Sequence, residues 1–538
     1  MLVRWTKGYT QAELDDAQHR FDPGVSPLIA FPICGITWRK PRAFDAMMAH
    51  FPDNRHAAVA GPTIFRRRRR SRTLAAAMAR GCAGSFPASP DAERSAGRPC
   101  RHRMHDIGAL TAFFTDFSTS RLTAMPEHIE TIVIGGGQAG LAMSYHLARV
   151  GQQHVVLERG RVAERWRSER WESLAFQFTN SLLCLPGHAY SGDAPDGFMG
   201  REGIARFITD YAVGIAAPLR CGISVTSVRA TDRGRLLVQA GQETMEAANV
   251  VIATGPYQLP STPPCSGSFP GAIHQVTANR YTRPSDLPPG SVLVVGSGGS
   301  GCQIVEDLRD GGREVFYAVR RHRRWPRRYR GRDVGRWIEE TGMTNVTGDG
   351  MPPEWRHFRA PLITGVRGGH TIDLRRMARE GVRLLGSLLD VGDGRLRIAN
   401  DLNANLAIGD ETFVQFVRTI DDFIEARGID APAEEGFDSY LRRTPEALPE
   451  TDTLDLRDAR ISTVIWATGY RYDFQWIECP VFDLQGAPEQ RRGVTKVPGL
   501  YFLGLPRMHK VKSAFLWGVG EDAEYLADHI AARSIDLN

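Results

Sequence analysis

Cysteine is scarce in this chain, and its cysteines form no recognisable motif. Eight occur in 538 residues, and no two of them have the spacing of a CxxC pair or of a zinc site. Small secreted domains that rely on disulfides carry denser, paired cysteines. The sequence therefore predicts a protein of a reducing compartment, with the cytoplasm as the expected location, and it predicts neither a disulfide scaffold nor a bound metal.

Long apolar runs are missing as well. The longest early one is the short PLIAFPICGI at 27–36, whereas a helix needs about 20 apolar residues to cross a bilayer. We therefore expect no integral membrane association. The hydrophobic content of 42% is nevertheless enough for a large core, and the length favours more than one domain.

Most of the chain has no excess of charge of either sign. Of the 67 basic and 61 acidic residues, positions 1–124 hold 19 and 10, so the remainder holds 48 and 51. This leader contains RRRRRSR at 66–72, shows no helical or strand periodicity and is dotted with Pro, Gly and Ser. We predict that it is disordered or dispensable, with a targeting signal as the alternative, and that the working protein starts at Met125.

A glycine-rich turn follows the apolar strand TIVI at 131–134. The turn reads Gly135-x-Gly137-x-x-Gly140, and a helical apolar pattern follows it. The first glycine permits a tight turn, the second lets the backbone approach a pyrophosphate, and the third lets the helix pack on the strand. The next strand ends at Glu158, 23 residues after Gly135, where an acid can accept the ribose hydroxyls. We predict a dinucleotide site for an unphosphorylated ribose.

The strand SVLVV leads into a second turn of the same kind, Gly296-x-Gly298-x-x-Gly301. Here the following strand ends in Arg320 and Arg321, 24 and 25 residues after Gly296, and no carboxylate occupies the corresponding place. Arginine at this position accommodates a 2′-phosphate through charge-assisted hydrogen bonds. The second turn is therefore predicted to bind NADP.

These arginines open the basic run RRHRRWPRRYRGR at 320–332, which interleaves eight arginines with two aromatic residues. A nucleic-acid patch is the competing interpretation. The run begins where the dinucleotide unit needs its discriminating loop, and the body of the chain is not basic, so we predict no nucleic-acid partner. From Arg327 onward we expect a solvated charged face.

Four further stretches follow a known pattern: ERWRSERWESLAFQFTNSLLCLPG at 164–187, NVVIATG at 249–255, TVIWATGY at 463–470 and PGLYFLGLPRMHKVKSAFLWGVGEDAEYLADHI at 498–530. With the two glycine turns, they resemble the flavin-dependent monooxygenases that bind FAD and NADPH in two nested Rossmann domains. The nearest likeness is to bacterial flavoprotein oxidoreductases described as potassium-transport-associated, which neighbour the indole-pyruvate monooxygenases.

The resemblance implies an α/β fold in which an NADP domain, residues 286–455 with a helical insertion, interrupts an FAD domain made of 125–285 and 456–538. It also implies cofactor contacts outside the glycine turns, at Trp166, Arg167, Thr254, Gly255, Thr468, Gly469, Gly504 and Asp522. Trp171 would also line the flavin edge. Asn180 matches an asparagine that contacts the flavin and the oxygen intermediate in amine- and sulfur-oxygenating relatives.

One motif departs from the family pattern FxGxxxHxxx(Y/F/W). The stretch FPGAIHQVTANRY at 269–281 has only two residues between Gly271 and His274. His274 is the candidate catalytic histidine, with an ordinary linker residue as the alternative. If Tyr281 anchors the alignment instead, Thr277 takes the histidine position.

The implied activity is insertion of one oxygen atom from O₂ into a small organic substrate, with NADPH as hydride donor and a C4a-hydroperoxyflavin as the oxygenating species. An NADPH-dependent flavin reductase or diaphorase and a redox-sensing flavoprotein are the alternatives. Disulfide reductases share the two-turn plan, but they pass electrons to a cysteine pair that this sequence lacks. No short motif identifies the substrate, and a homodimer is the expected assembly.

Overall fold

A computed structural model describes residues 126–348, 360–435 and 446–537. The predicted extension at 1–124 and the proposed start at Met125 lie outside the described residues. The α-helices in these ranges are α1 (Gln138–Arg149), α2 (Glu164–Ser168), α3 (Arg201–Gly214), α4 (Gly299–Asp310), α5 (Val334–Glu340), α6 (Leu374–Arg379), α7 (Leu402–Arg427) and α8 (Val519–Leu537). Short 3₁₀ helices are formed by Asn180–Leu182, Pro264–Ser268, Pro284–Asp286, Met343–Asn345, Val366–Gly368 and Val511–Ala514.

The first sheet has nine strands in the described part of the chain. A parallel centre contains, in spatial order, Leu219–Cys221, His154–Glu158, Glu127–Ile134, Glu243–Ile252 and Leu500–Phe502. The antiparallel additions are Val225–Ala230 and Leu236–Ala240 beside Glu243–Ile252, and Gln490–Arg491 and Val494–Thr495 beside Leu500–Phe502. The inner strands are apolar on both faces because helices cover one face and the antiparallel strands cover the other.

The second sheet has five parallel strands, in spatial order His274–Thr277, Ile461–Trp466, Ser291–Val295, Val315–Ala318 and Arg383–Leu385. A three-stranded antiparallel sheet lies beside it, formed by Leu388–Gly392, Arg395–Ile398 and Thr453–Asp455. Two-stranded ribbons are Cys184–Leu185 with His188–Ala189, Leu259–Pro260 with Tyr470–Arg471, and Arg328–Tyr329 with Arg332–Asp333. The predicted mixed α/β class is confirmed.

The second sheet reaches beyond the predicted segment 286–455 on both sides. The strand Ile461–Trp466 lies between His274–Thr277 and Ser291–Val295, because its apolar side chains are buried in that core. The chain crosses from the first sheet to the second and back, and the two crossings pair as the ribbon of Leu259–Pro260 and Tyr470–Arg471. The segment between the crossings, rather than 286–455, therefore builds the second sheet.

The prediction of a solvated charged face from Arg327 onward is wrong for Arg327 itself, whereas Arg328 is exposed. Arg327 is only 1% exposed and Arg324 is also buried. Arg327 forms an ion pair with Asp333, and Arg324 forms one with Asp410 on α7. Burial of these two arginines is possible because Asp333 and Asp410 neutralise them. Arg324 and Arg327 are therefore structural elements of the domain.

Candidate functional site

The first glycine turn has a backbone that admits no side chain at two of its three positions. Gly135 has φ +118°, and a Cβ there would lie 2.6 Å from the carbonyl oxygen of Ala253. A Cβ on Gly140 would lie 1.8 Å from the oxygen of Gly135. At Gly137, the N-cap of α1, a Cβ would meet no atom within 4 Å. The turn thus leaves open space at the helix N-terminus, which favours an anionic group such as a pyrophosphate.

Glu158 lies at the end of the second strand, as predicted, and it connects two loops. Its Oε2 accepts a hydrogen bond from the backbone N–H of Gly136 at 2.7 Å, and its Oε1 accepts one from Gly160 at 2.7 Å. A carboxylate oxygen has a second acceptor site, so these bonds leave capacity for a hydroxyl donor. The carboxylate is thereby oriented beside the turn.

The second glycine turn repeats this geometry. Gly296 has φ +114° and a Cβ there would lie 2.4 Å from the oxygen of Ala467. A Cβ on Gly301 would lie 1.9 Å from the oxygen of Gly296, and Gly298, the N-cap of α4, faces open space. The two hydrophobic-ATG strands therefore contact different turns. The strand that ends at Ala253 contacts the first turn, and the strand that ends at Ala467 contacts the second.

The threonine and glycine that follow each of these alanines lie at the edge of their own turn. Thr254 accepts a hydrogen bond from Gln258 at 3.0 Å, and Gly255 has φ +73°. Thr468 donates a hydrogen bond to the backbone oxygen of Ser261, and Gly469 is exposed. Thr254 and Gly255 therefore lie beside the first turn, and Thr468 and Gly469 lie beside the second.

Arg320 and Arg321 lie beside the second turn with their side chains exposed. The hydroxyl of Ser297 donates to the backbone oxygen of Arg320 at 2.8 Å and accepts from its backbone N–H at 3.0 Å. Neither guanidinium forms an ion pair with a carboxylate in the described ranges. Both are therefore available to an anionic ligand.

The tryptophans of the segment 164–187 separate into two environments. Trp166 on α2 packs edge-on against Phe176 with ring centroids 6.0 Å apart. Its neighbour Arg167 donates to the hydroxyl of Thr209 at 2.9 Å. Trp171 is 3% exposed and belongs to the core of the second sheet, so the structure does not place it at the edge of the first site.

Asn180 is a buried polar residue with an unused acceptor. It is 6% exposed, and its Nδ2 donates to the oxygen of Ala194 at 2.9 Å. Its Oδ1 finds no hydrogen-bond partner in the described part of the chain, and neither does the nearby indole nitrogen of Trp517. Phe178 packs against Trp517 with centroids 4.8 Å apart. Unpaired buried polar atoms cost free energy, so the Oδ1 of Asn180 and the indole nitrogen of Trp517 are candidate partners for a bound group.

The start of α8 carries several charged groups. Gln138 in the first turn of α1 donates to the oxygen of Ala514, 2.7 Å away, which joins the first glycine turn to this region. Asp522 is buried and receives a contact from Arg492 at 3.3 Å. Burial by itself raises the pKa of Glu521, but hydrogen bonds from Lys510 and Lys512 outweigh burial and lower it.

Gly504 brings the strand Leu500–Phe502 onto α1. It has φ +77°, and a Cβ there would lie 2.5 Å from the Cβ of Ala139. A larger residue would push this strand end away from the first glycine turn. The position is therefore structural as well as adjacent to the predicted cofactor.

The strand register separates His274 from the second glycine turn. It is exposed at the start of its edge strand, level with Thr463 and Val292. Thr277 lies level with Val295, at the sheet edge from which the second turn emerges. Tyr281, four positions after Thr277, is buried, and His274 lies at the opposite end of the strand from Thr277.

Two residues of this region were missed in the sequence. The Nε2 of Gln177 lies at the N-terminus of α4, only 2.5 Å from where a Cβ of Gly299 would be. Arg327 donates from Nη1 to the backbone oxygen of Gln177 at 2.6 Å across 150 positions of sequence. The segment that carries Asn180 is thereby held against the second turn, and no local pattern announces such a long-range contact.

Redox-active cysteine pairs and metal clusters do not occur in the described ranges. Cys184, Cys221, Cys265, Cys302 and Cys479 are all free. No group of three or more His, Cys, Asp and Glu side chains in these ranges could hold a metal ion. None of the described helices is long and apolar enough to cross a membrane.

Comparison with known proteins identifies relatives for most of the chain. The model of a family described as pyridine nucleotide-disulphide oxidoreductase matches residues 132–342. A Geobacillus kaustophilus (strain HTA426) protein, named uncharacterized oxidoreductase CzcO-like, is 31% identical over 410 residues, which are 76% of this chain and 99% of that protein. A Baeyer-Villiger monooxygenase of Streptomyces coelicolor is 31% identical over 196 residues, 34% of this chain and 36% of its own length.

A solved structure has the same fold. The flavin-containing monooxygenase from Stenotrophomonas maltophilia aligns with a TM-score of 0.52 at 20% identity, and the alignment covers 76% of this chain and 99% of that one.

Proposed function

This chain belongs to the CzcO-like family of oxidoreductases, which is related to the flavin monooxygenases, and on that basis we propose that it is an FAD-dependent, NADPH-consuming monooxygenase. It is an enzyme that inserts one atom of O₂ into a small organic substrate. The two glycine turns are the dinucleotide sites of two nested Rossmann-type domains. The FAD domain is interrupted by the NADP domain, and the chain passes between them through the ribbon of Leu259–Pro260 and Tyr470–Arg471.

FAD is the cofactor of the first turn. Gly137 and the N-terminus of α1 face the pyrophosphate, and Glu158 accepts the ribose hydroxyls. Thr254, Gly255 and Gly504 border the same site. When bound, FAD supplies the electron transfer and oxygen activation that amino-acid side chains cannot supply.

NADPH binds the second turn, where Gly298 faces the pyrophosphate and Arg320 and Arg321 hold the 2′-phosphate. Thr468 and Gly469 border this site rather than the first one. Gln177 reaches the N-terminus of α4, where its side-chain amide would help to hold the bound nucleotide.

Asn180 is the candidate residue for a contact with the reacting part of the bound cofactor. Its unpaired Oδ1 accepts a hydrogen bond from a bound ligand, while its Nδ2 bond to Ala194 holds the side chain still. Trp517 contributes a second unpaired donor, and Trp166 and Arg167 support the same segment from α2. The buried Asp522 lies in the first turn of α8, and the N-terminus of this helix would stabilise negative charge on the bound cofactor.

The proposal rests on one observation. The chain has two glycine turns of equivalent geometry, and the strand after the first ends in the acidic Glu158, whereas the strand after the second leads into the basic Arg320 and Arg321. A disulfide reductase would need a cysteine pair, which the described residues lack. His274 has no assigned part in this scheme; it is exposed and begins its edge strand, at the opposite end from Thr277.

Product analysis tests the activity. NADPH consumption is measured with a panel of amines, sulfides, ketones and aromatic pyruvates under ¹⁸O₂, together with hydrogen peroxide and product mass. A monooxygenase yields a product labelled with one ¹⁸O atom per NADPH oxidised. Stoichiometric peroxide without labelled product would indicate a flavin reductase, and a failure of NADPH to reduce the protein would indicate a redox sensor.

Replacing both Arg320 and Arg321 with alanine is expected to raise the KM for NADPH about 10–100-fold and to leave the KM for NADH nearly unchanged. A 10–100-fold change corresponds to about 1.4–2.8 kcal/mol, the net contribution expected of one charge-assisted hydrogen bond, and only NADPH carries the 2′-phosphate that receives it. Steady-state kinetics with both nucleotides measure the ratio. The matched control is R395A/R397A, which removes two exposed arginines on another sheet of the same domain; equal effects on both nucleotides would contradict the phosphate role.

A further inference from the structure

Helix α7 contacts the loop that carries Arg320 and Arg321. Asn405 on this helix is 3% exposed, and its Nδ2 donates to the backbone oxygen of Val319, the residue before the two arginines, at 3.2 Å. In addition, the hydroxyl of Ser297 in the second glycine turn binds the backbone N–H and the backbone oxygen of Arg320. The backbone at the start of this loop is therefore fixed by α7 and by the turn together.

His322, which follows the two arginines directly, is buried against the middle of α7. It is 4% exposed, and its Nδ1 donates to the backbone oxygen of Arg320 at 3.1 Å, because a carbonyl oxygen can only accept. The Nε2 of the same ring lies 2.5 Å from where a Cβ of Gly409 would be. Glycine is among the least favourable residues in the interior of a helix. The close approach of the imidazole explains why α7 has a glycine at this position.

The contact between α7 and the loop continues past His322. The backbone N–H of Arg324 donates to the hydroxyl of Thr412 at 3.1 Å, and its Nη1 donates to Asp410 at 2.7 Å. The ring of Trp325 stacks on that of Phe416 with centroids 4.1 Å apart. Residues three or four positions apart share one face of a helix. The face of α7 that holds the loop is formed in this way by Asn405, Gly409, Thr412 and Phe416.

We propose that α7 is a specificity-determining element of the second dinucleotide site, because it positions the loop that presents Arg320 and Arg321 to the 2′-phosphate. This inference rests on the proposed binding of NADPH at the second turn and deepens it. Contacts from α7 fix the loop at Val319, His322 and Arg324, on both sides of the two arginines, whose side chains stay exposed. An arginine side chain loses less conformational freedom on binding when its backbone is already fixed, which favours the nucleotide that carries the phosphate.

Replacing Gly409 with alanine tests this role in the full chain loaded with FAD. Calorimetric titrations use NADP⁺ and NAD⁺, which differ only in the 2′-phosphate. The added Cβ displaces the imidazole of His322 and with it the loop, so we expect the Kd for NADP⁺ to rise about fivefold or more and the Kd for NAD⁺ to change less than about twofold. N405A removes the hydrogen bond to Val319 without adding an atom, and it should also weaken the binding of NADP⁺ alone.

Two further variants separate positioning of the loop from general damage. H322N/G409A should restore most of the NADP⁺ affinity, because the asparagine amide can still donate to the oxygen of Arg320 and has no ring atom at the place of the new Cβ. In the R320A/R321A background, G409A should have no further effect, because the arginines that it displaces are already absent. E411A, at an exposed position of the same helix, is the matched control and should bind both nucleotides like the original protein.

An unchanged Kd for NADP⁺ in both G409A and N405A, or equal losses for the two nucleotides, would overturn the inference. The titrations need neither oxygen nor substrate. A chain that shows the expected effects but forms no oxygenated product would therefore support this inference and refute the monooxygenase activity. Equal affinity of the original protein for NADP⁺ and NAD⁺ would overturn the inference together with the NADPH site.

Discussion

Replacing Gly137 with alanine should weaken FAD binding by about 10–100-fold and leave the fold intact, whereas replacing Gly298 should weaken only NADPH. Both positions have an ordinary φ of −90°, and an added Cβ would meet no protein atom within 4 Å. The open space at each is where a pyrophosphate approaches the backbone, and a methyl group inserted into such a close contact costs about 1–3 kcal/mol. The difference between the two variants therefore assigns each turn to its nucleotide.

Flavin absorbance of the purified variants and the KM for NADPH measure these effects, and circular dichroism monitors the fold. G267A is the neutral control, because Gly267 also has open space around its missing Cβ but lies outside both turns. G140A is the opposite control, since its Cβ would lie 1.8 Å from the oxygen of Gly135 and should disrupt the folded domain itself. Normal FAD content in G137A, or loss of FAD in G298A, would contradict the assignment of the turns.

Replacing Arg327 with methionine should lower the free energy of unfolding by about 3–5 kcal/mol, which is the usual cost of leaving one member of a buried ion pair without its partner. Arg327 donates from Nε to Asp333 at 2.8 Å, and its guanidinium lies 4.8 Å from the ring centroid of Phe198. Burial lowers the pKa of Arg327, and the bond to Asp333 opposes that shift. The group remains charged because arginine titrates far above neutral pH.

Urea denaturation of R327M measures the loss, and the double variant R327M/D333N provides the internal control. Asparagine removes the orphaned charge and still offers an oxygen to the backbone N–H of Gly335, which Asp333 caps at 2.8 Å. The double variant should therefore regain most of the stability, since removing both charges of a buried pair is often close to neutral. R321M, an exposed arginine of the same run, should be unchanged. A loss below about 1 kcal/mol in R327M would show that the ion pair does not hold this region together.

The sequence by itself determined the parts of the site that depend on local backbone geometry. Gly135, Gly140, Gly296 and Gly301 are required because a Cβ at each would collide with a carbonyl oxygen, and a fixed spacing within a few residues records that requirement. The sequence also predicted the difference in charge between Glu158 and the pair Arg320 and Arg321, because these residues lie at the ends of strands at a fixed distance from their turns. The α/β class follows from the alternation of these strands with helices.

Only the tertiary structure decided which residues each segment meets. Arg327 is buried because Asp333, Phe198 and the backbone of Gln177 surround it, and the last two lie more than 100 positions away in the chain. Trp171 belongs to the core of the second sheet and not to the first site for the same kind of reason. The side chain of an arginine or a tryptophan is compatible with exposure or burial, and the choice is made by contacts between distant segments rather than by spacing along the chain.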